Sequence, residues 1–133
     1  MIILHGNNIT WFNPKPYHWP DPNGFIWYDM EAWRNHEGEN ASGIDFDIPG
    51  IALPNHHHTL GGWWRVNFIN LKKYTITQQV DVGPDTGVVD LNAPLAYQLF
   101  GSPEKVNRGP WNADYIGKEL PPNLKAGIFN IGD

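Results

Sequence analysis

Apolar and polar residues alternate through much of the second half of the chain, and a period of two predicts strands, not helices. From Trp63 to Asn70, Trp64, Val66 and Phe68 fall on one face and Arg65 and Asn67 on the other. From Tyr74 to Val82, Tyr74, Ile76, Val80 and Val82 share one face, while Thr75, Thr77, Gln79 and Asp81 form a polar face that ends in a carboxylate. Leu71-Lys72-Lys73 is the turn between these strands. Upstream, Ile44, Phe46 and Ile48 alternate with Asp45 and Asp47, Pro49-Gly50 interrupts, and Ile51-Ala52-Leu53 makes a short apolar strand. Downstream, Gly83-Pro84-Asp85-Thr86-Gly87 reads as a loop and Val88 to Leu91 as a strand. Asn92 then caps a helix, with Pro94 in its first turn, Leu95 and Leu99 on its inner face and Gly101 ending it. Trp111 to Ile116 is strand or turn, and Ala126 to Ile131 a last strand.

The first 40 residues have another texture. A short strand around Ile9 leads into a segment crowded with Trp11, Phe12, Tyr17, Trp19, Phe25, Trp27, Tyr28 and Trp33 and broken by Pro14, Pro16, Pro20 and Pro22. Residues of about 14–40 therefore read as a long aromatic loop, with one helical turn over Asp29–Arg34. Loops of this length in compact domains are usually functional, so this one is either a binding wall or lid, or a satellite core of its own.

Composition narrows the class. With 133 residues, 41% of them hydrophobic, the chain suits one domain with a real core, residues 1–133. It has no cysteine and hence no disulfide framework, and no apolar run approaches the roughly 20 residues of a membrane span. Nine basic against fourteen acidic residues, without a basic cluster, argue against nucleic-acid binding. Seven Trp and five Tyr beside twelve Pro and fourteen Gly suit short strands and long loops, and flat rings also stack on sugars. Met1 to Gly6 shows none of the features of a secretory signal.

Asp81 and Asp90 lie nine residues apart on either side of a Gly/Pro-rich turn, a spacing that can bring two carboxylates to one rim of a small barrel. Cleaving an acetal needs a group that protonates the departing oxygen and a second that handles the oxocarbenium-like centre. Val88, Val89 and Leu91 would desolvate Asp90, as an acid requires, whereas Asp81 among Thr and Gln would stay ionised. Asp90 equally suits a capping or turn role. In the run His56-His57-His58, His56 and His58 can share a face and, with a carboxylate, form a metal site, or all three can belong to a solvated loop; no metal or cofactor is expected. Phosphate-binding loops, nucleophile elbows and helical zinc motifs are absent from the sequence.

Val80-Asp81-Val82-Gly83-Pro84, then Gly87 to Asn92 and Ala93 to Gly101, resemble the double-psi β-barrel domains of the rare lipoprotein A type, in which a strand ending in Asp-x-Gly-Pro leads to a Gly-rich turn, an Asp-Leu-Ser strand and a helix ending near Leu-Gly. His58 to Gly62, Arg65 to Asn70, and Trp11-Phe12 resemble that family's His-x-Thr-Leu-Pro loop, Arg-Val-x-Val-Thr-Asn strand and opening Ser-Trp-Tyr segment. The clearest match is about 50–102, within a barrel core of about 44–102. Asn92 stands where Ser is usual and Gly61 where Pro is common.

The resemblance extends to the catalytic domain of membrane-bound lytic transglycosylase A, to expansins and to endoglucanases. It implies a mainly β, six-stranded double-psi barrel with one or two short helices, a sugar-polymer cleft, and Asp90 as the acid, with Asp81 on the same acidic rim. The leading expectation is a lytic transglycosylase of peptidoglycan, with His58, Gln79, Asp85 and Thr86 contacting the sugar and Trp11, Trp63 or Trp64 stacking on it. Two carboxyl groups about 6.5–9.5 Å apart would instead indicate an inverting hydrolase. A non-catalytic, expansin-like polysaccharide-binding or wall-loosening module is the alternative. The partner is a polysaccharide, with the chain expected to be monomeric and to act at the cell wall.

Overall fold

The computed structural model describes residues 3–13, 40–45, 47–54, 57–83, 86–102, 105–106 and 109–132. The aromatic segment of 14–39, together with His56 and Asp85, lies outside them. Eight strands are described: β1 (Ile3–Gly6), β2 (Asn8–Phe12), β3 (Gly50–Pro54), β4 (Trp63–Phe68), β5 (Lys73–Gly83), β6 (Val88–Asn92), β7 (Trp111–Gly117) and β8 (Gly127–Asn130). One α-helix is described, α1 (Ala93–Phe100), which follows β6 directly. The sheet runs β1-β7-β4-β5-β3-β6-β2, with β8 added to β5. Its pairs are antiparallel except β2 with β6 and β3 with β5. This is a mainly β chain on a curled sheet of the double-psi type. It has eight described strands where six were expected, because four-residue strands, β1 and β8, extend the sheet.

The alternation read in β4 is the alternation of its burial: Trp64, Val66 and Phe68 are buried and Trp63, Arg65 and Asn67 only partly so. They join Ile51, Leu53, Leu91, Leu95 and Trp111 in the main core. The helix forms as its caps dictate. The Asn92 side chain accepts from the Leu95 N–H, Gly101 has a φ of 79°, and its N–H donates to the Tyr97 carbonyl. Leu95 and Leu99 are buried against the barrel.

The polar residues of β5 are not exposed: Thr75, Thr77, Gln79 and Asp81 are all buried. The reason is long-range: Thr75 pairs with Val66, Thr77 with Trp64 and Gln79 with Ile51, all residues of the main core, so this face turns inward, and past Val80 the strand sets Asp81 beside buried Ala52 on the opposite face. Buried polar groups need partners, and these have them. The Thr75 hydroxyl donates to the Gly127 carbonyl and that of Thr77 to the Pro49 carbonyl. Gln79 Oε1 accepts from the Thr59 hydroxyl at 2.6 Å and from the Trp64 indole N–H at 3.2 Å, while its Nε2 donates to the Asp81 carbonyl at 3.3 Å.

Candidate functional site

The site is built where β3 is flanked by β5 and β6. Ala52 pairs with Asp81 on one side and Asp90 on the other, and Asp90 pairs in turn with Thr10 of β2. Residues in register across neighbouring strands share a face, so Asp81, Ala52, Asp90 and Thr10 form one row. A bulge makes the row possible: Ile51 opposes Gln79 and Ala52 opposes Asp81, so Val80 is the extra residue on β5. Two strand spacings separate the aspartates, about 10 Å between α-carbons.

The ends of β3 and β5 and the starts of β6 and β2 meet at one rim, close to this row, because Pro54 pairs with Gly83 and Asn8 with Val88. The turn entering β6 is pinned there. Gly87 has a φ of 81°, and its carbonyl accepts from the Asn8 N–H at 3.4 Å and the Trp111 indole N–H at 3.2 Å. A Cβ on Gly6 would collide with that same Gly87 carbonyl, so the approach of β1 to the turn requires glycine.

Burial falls on the opposite aspartate from the one the local sequence singles out. Asp81 is 2% exposed, and its Oδ1 accepts from the Val82 N–H at 2.8 Å. Asp90 is partly exposed, and the exposed Thr10 hydroxyl donates to its Oδ1 at 2.8 Å.

The remaining expected residues divide. Thr86 is exposed in the turn before β6, and His58 is exposed on the 3-10 turn His57–Thr59 that follows β3. The Thr59 bond to Gln79 anchors that turn to the core. Trp64 and Gln79 are both 0% exposed, so neither offers a surface to a sugar; they are core residues. Trp11 pairs with Leu91 and packs on the main core, on the face of β2 away from Thr10. Trp63 lines a cavity with Pro49, Gln78 and Leu95, away from the rim. Sequence reading missed Thr10, whose importance depends on a parallel β2–β6 pairing 80 residues apart in sequence. No group of three or more His, Asp or Glu that would hold a metal occurs among the described residues, and no helix among them is long and apolar enough to cross a membrane.

No family model matches the chain, and no curated protein matches its sequence. Among solved structures it is similar to the apo form of an expansin from Clavibacter michiganensis, with 14% identity and a TM-score of 0.51. It is also similar to an aspartate-to-asparagine variant of that expansin in complex with cellohexaose, with 13% identity and a TM-score of 0.50. Each alignment covers 91% of this chain and 54% of the expansin, so the chain spans about half the length of those proteins. At such identity the likeness is one of fold, and it agrees with the motifs from Val80 to Gly101: the chain has the barrel fold of the rare lipoprotein A and expansin group.

Proposed function

We propose that the chain acts on a wall polysaccharide as an expansin-like binding or wall-loosening module, with the Thr10–Asp90 pair contacting the glycan. The observation that carries this reading is the 2.8 Å bond between an exposed threonine and a partly exposed aspartate beside the rim of a fold whose solved relative holds cellohexaose. A carboxylate already fed by one hydroxyl donor is an acceptor for sugar hydroxyls. Exposed Thr86 and His58 would extend the contact along the rim. Asp81 would act as a buried support.

Binding isotherms on microcrystalline cellulose and on peptidoglycan sacculi test this. Thr10→Val removes one hydrogen-bonding group worth about 0.5–1.5 kcal/mol, so affinity falls by about 2–12-fold, and Thr10→Ser restores it. Equal binding by wild type and Thr10→Val would remove Thr10 from the site.

The second reading is peptidoglycan cleavage, and the exposure difference between the aspartates favours one form of it. Inverting hydrolysis needs two accessible carboxylates, one of them activating water, and Asp81 at 2% exposure is poorly placed for that. A lytic transglycosylase needs one. Asp90 in its acid form would protonate the bridging oxygen; as conjugate base it would take the proton of the muramic acid hydroxymethyl group, whose oxygen closes the anhydro ring. Anhydro-muropeptides among the soluble products would support this route, and intact sacculi with bound protein would leave the binding module.

A further inference from the structure

A second concave site lies away from the Thr10–Asp90 row, toward the end of the barrel where α1 packs. It is a cavity of about 220 Å³ lined by Trp63, Gln78, Thr77, Leu95, Gln98 and Ile128, among others. Pro49 on its wall precedes Ala52 by three residues, which places the cavity about 10 Å down the strand from the aspartates.

Its size and chemistry select a ligand. An engineered apolar cavity of about 150 Å³ takes benzene, and pockets for drug-sized ligands begin near 300 Å³, so this one suits a single substituted six-membered ring. Trp63 is only partly buried, and no hydrogen bond or ring contact of its indole is found among the described residues. Gln98 is exposed at the edge, and Gln78 spends its Nε2 on the Gly61 carbonyl at 3.1 Å, leaving its carbonyl oxygen as an acceptor. Apolar walls, an indole and two amides are the combination that binds the C–H face and the hydroxyls of a sugar. No ionisable side chain occurs among the described residues of the lining, so nothing there balances a ligand charge.

We propose that this cavity is a subsite for one neutral pyranose ring, stacked on Trp63 and hydrogen-bonded by Gln78 and Gln98. The proposal rests on reading the chain as a polysaccharide-acting module, and narrows it: the cavity takes an uncharged glucan unit and discriminates against rings that carry a carboxylate.

Two-dimensional NMR of the indole N–H groups, with the Trp63 signal assigned by its loss in Trp63→Phe, tests the site in the wild-type protein during titration with cellohexaose. The Trp63 signal is expected to shift and saturate, Trp63→Ala to bind cellohexaose at least fivefold more weakly, and Trp63→Phe to bind within about twofold of wild type. An oligogalacturonate hexamer, charged on every ring, is expected to leave the signal unmoved. A Trp63 signal that stays in place while cellohexaose binds, or no cellohexaose binding while the protein still sediments with sacculi, overturns the subsite and leaves the Thr10–Asp90 reading intact. Equal shifts with oligogalacturonate overturn the neutral-ring selectivity. Failure to sediment with either cellulose or sacculi overturns the underlying reading as well.

Discussion

Replacing Asn92 by Ala should remove the clasp that joins the helix to the strand carrying the site. Asn92 is 0% exposed and uses both ends of its amide. Oδ1 accepts from the Leu95 N–H at 3.2 Å, which caps α1, and from the Gly50 N–H at 3.0 Å, which begins β3; Nδ2 donates to the Ile48 carbonyl at 2.6 Å. Loss of the cap costs about 1 kcal/mol. The Gly50 N–H then loses its partner in a buried setting and the Ile48 carbonyl in a partly buried one, at about 1–3 kcal/mol for the first and about 1 for the second. The total is about 3–5 kcal/mol, a large part of the 5–15 kcal/mol typical of a domain. Urea unfolding followed by tryptophan fluorescence and far-ultraviolet circular dichroism measures it, with unchanged m-values as the check on two-state behaviour. Asn92→Ser keeps the cap and should lose about 2–4 kcal/mol. A loss below about 1 kcal/mol for Asn92→Ala would refute the assignment of the clasp.

Gln79→Leu preserves bulk but removes the acceptor shared by the Thr59 hydroxyl and the Trp64 N–H, so thermal unfolding should show a loss of about 1–3 kcal/mol; a neutral effect would mean that this buried network contributes nothing. Gly6→Ala pushes a methyl group into the Gly87 backbone, which cannot swing aside as a side chain can. The expected cost is about 1–3 kcal/mol in urea unfolding, together with weaker glycan binding from a displaced β6 turn, and unchanged values for both would contradict that packing.

What could be read from sequence were local features. Alternation in β4 separated Trp64 from Trp63, and that separation is the difference between a core residue and a cavity wall. Asn92 and Gly101 marked the helix because capping chemistry is local. The polar residues of β5 read as a face apart from the core, since nothing local announces that Thr75, Thr77 and Gln79 will be in register with Val66, Trp64 and Ile51. The same limit reversed the expected burial of Asp81 and Asp90: apolar neighbours along the chain suggested desolvation of Asp90, while Val88, Val89 and Leu91 differ in where they point, and the sheet leaves Asp90 partly exposed. β1 was missed because four residues show too little period. Thr10 needed the parallel register of β2 on β6, which no local pattern encodes.

The central claim is that Asp90 serves a glycan-acting site, and the most direct measurement is co-sedimentation of wild-type and Asp90→Asn protein with cellulose and peptidoglycan sacculi, with mass spectrometry of the supernatants. Wild type should pellet with at least one polymer, and Asp90→Asn should lose affinity for it or, if soluble fragments are released, lose their release. Sedimentation with neither polymer, or identical binding and products from both proteins, would contradict the account.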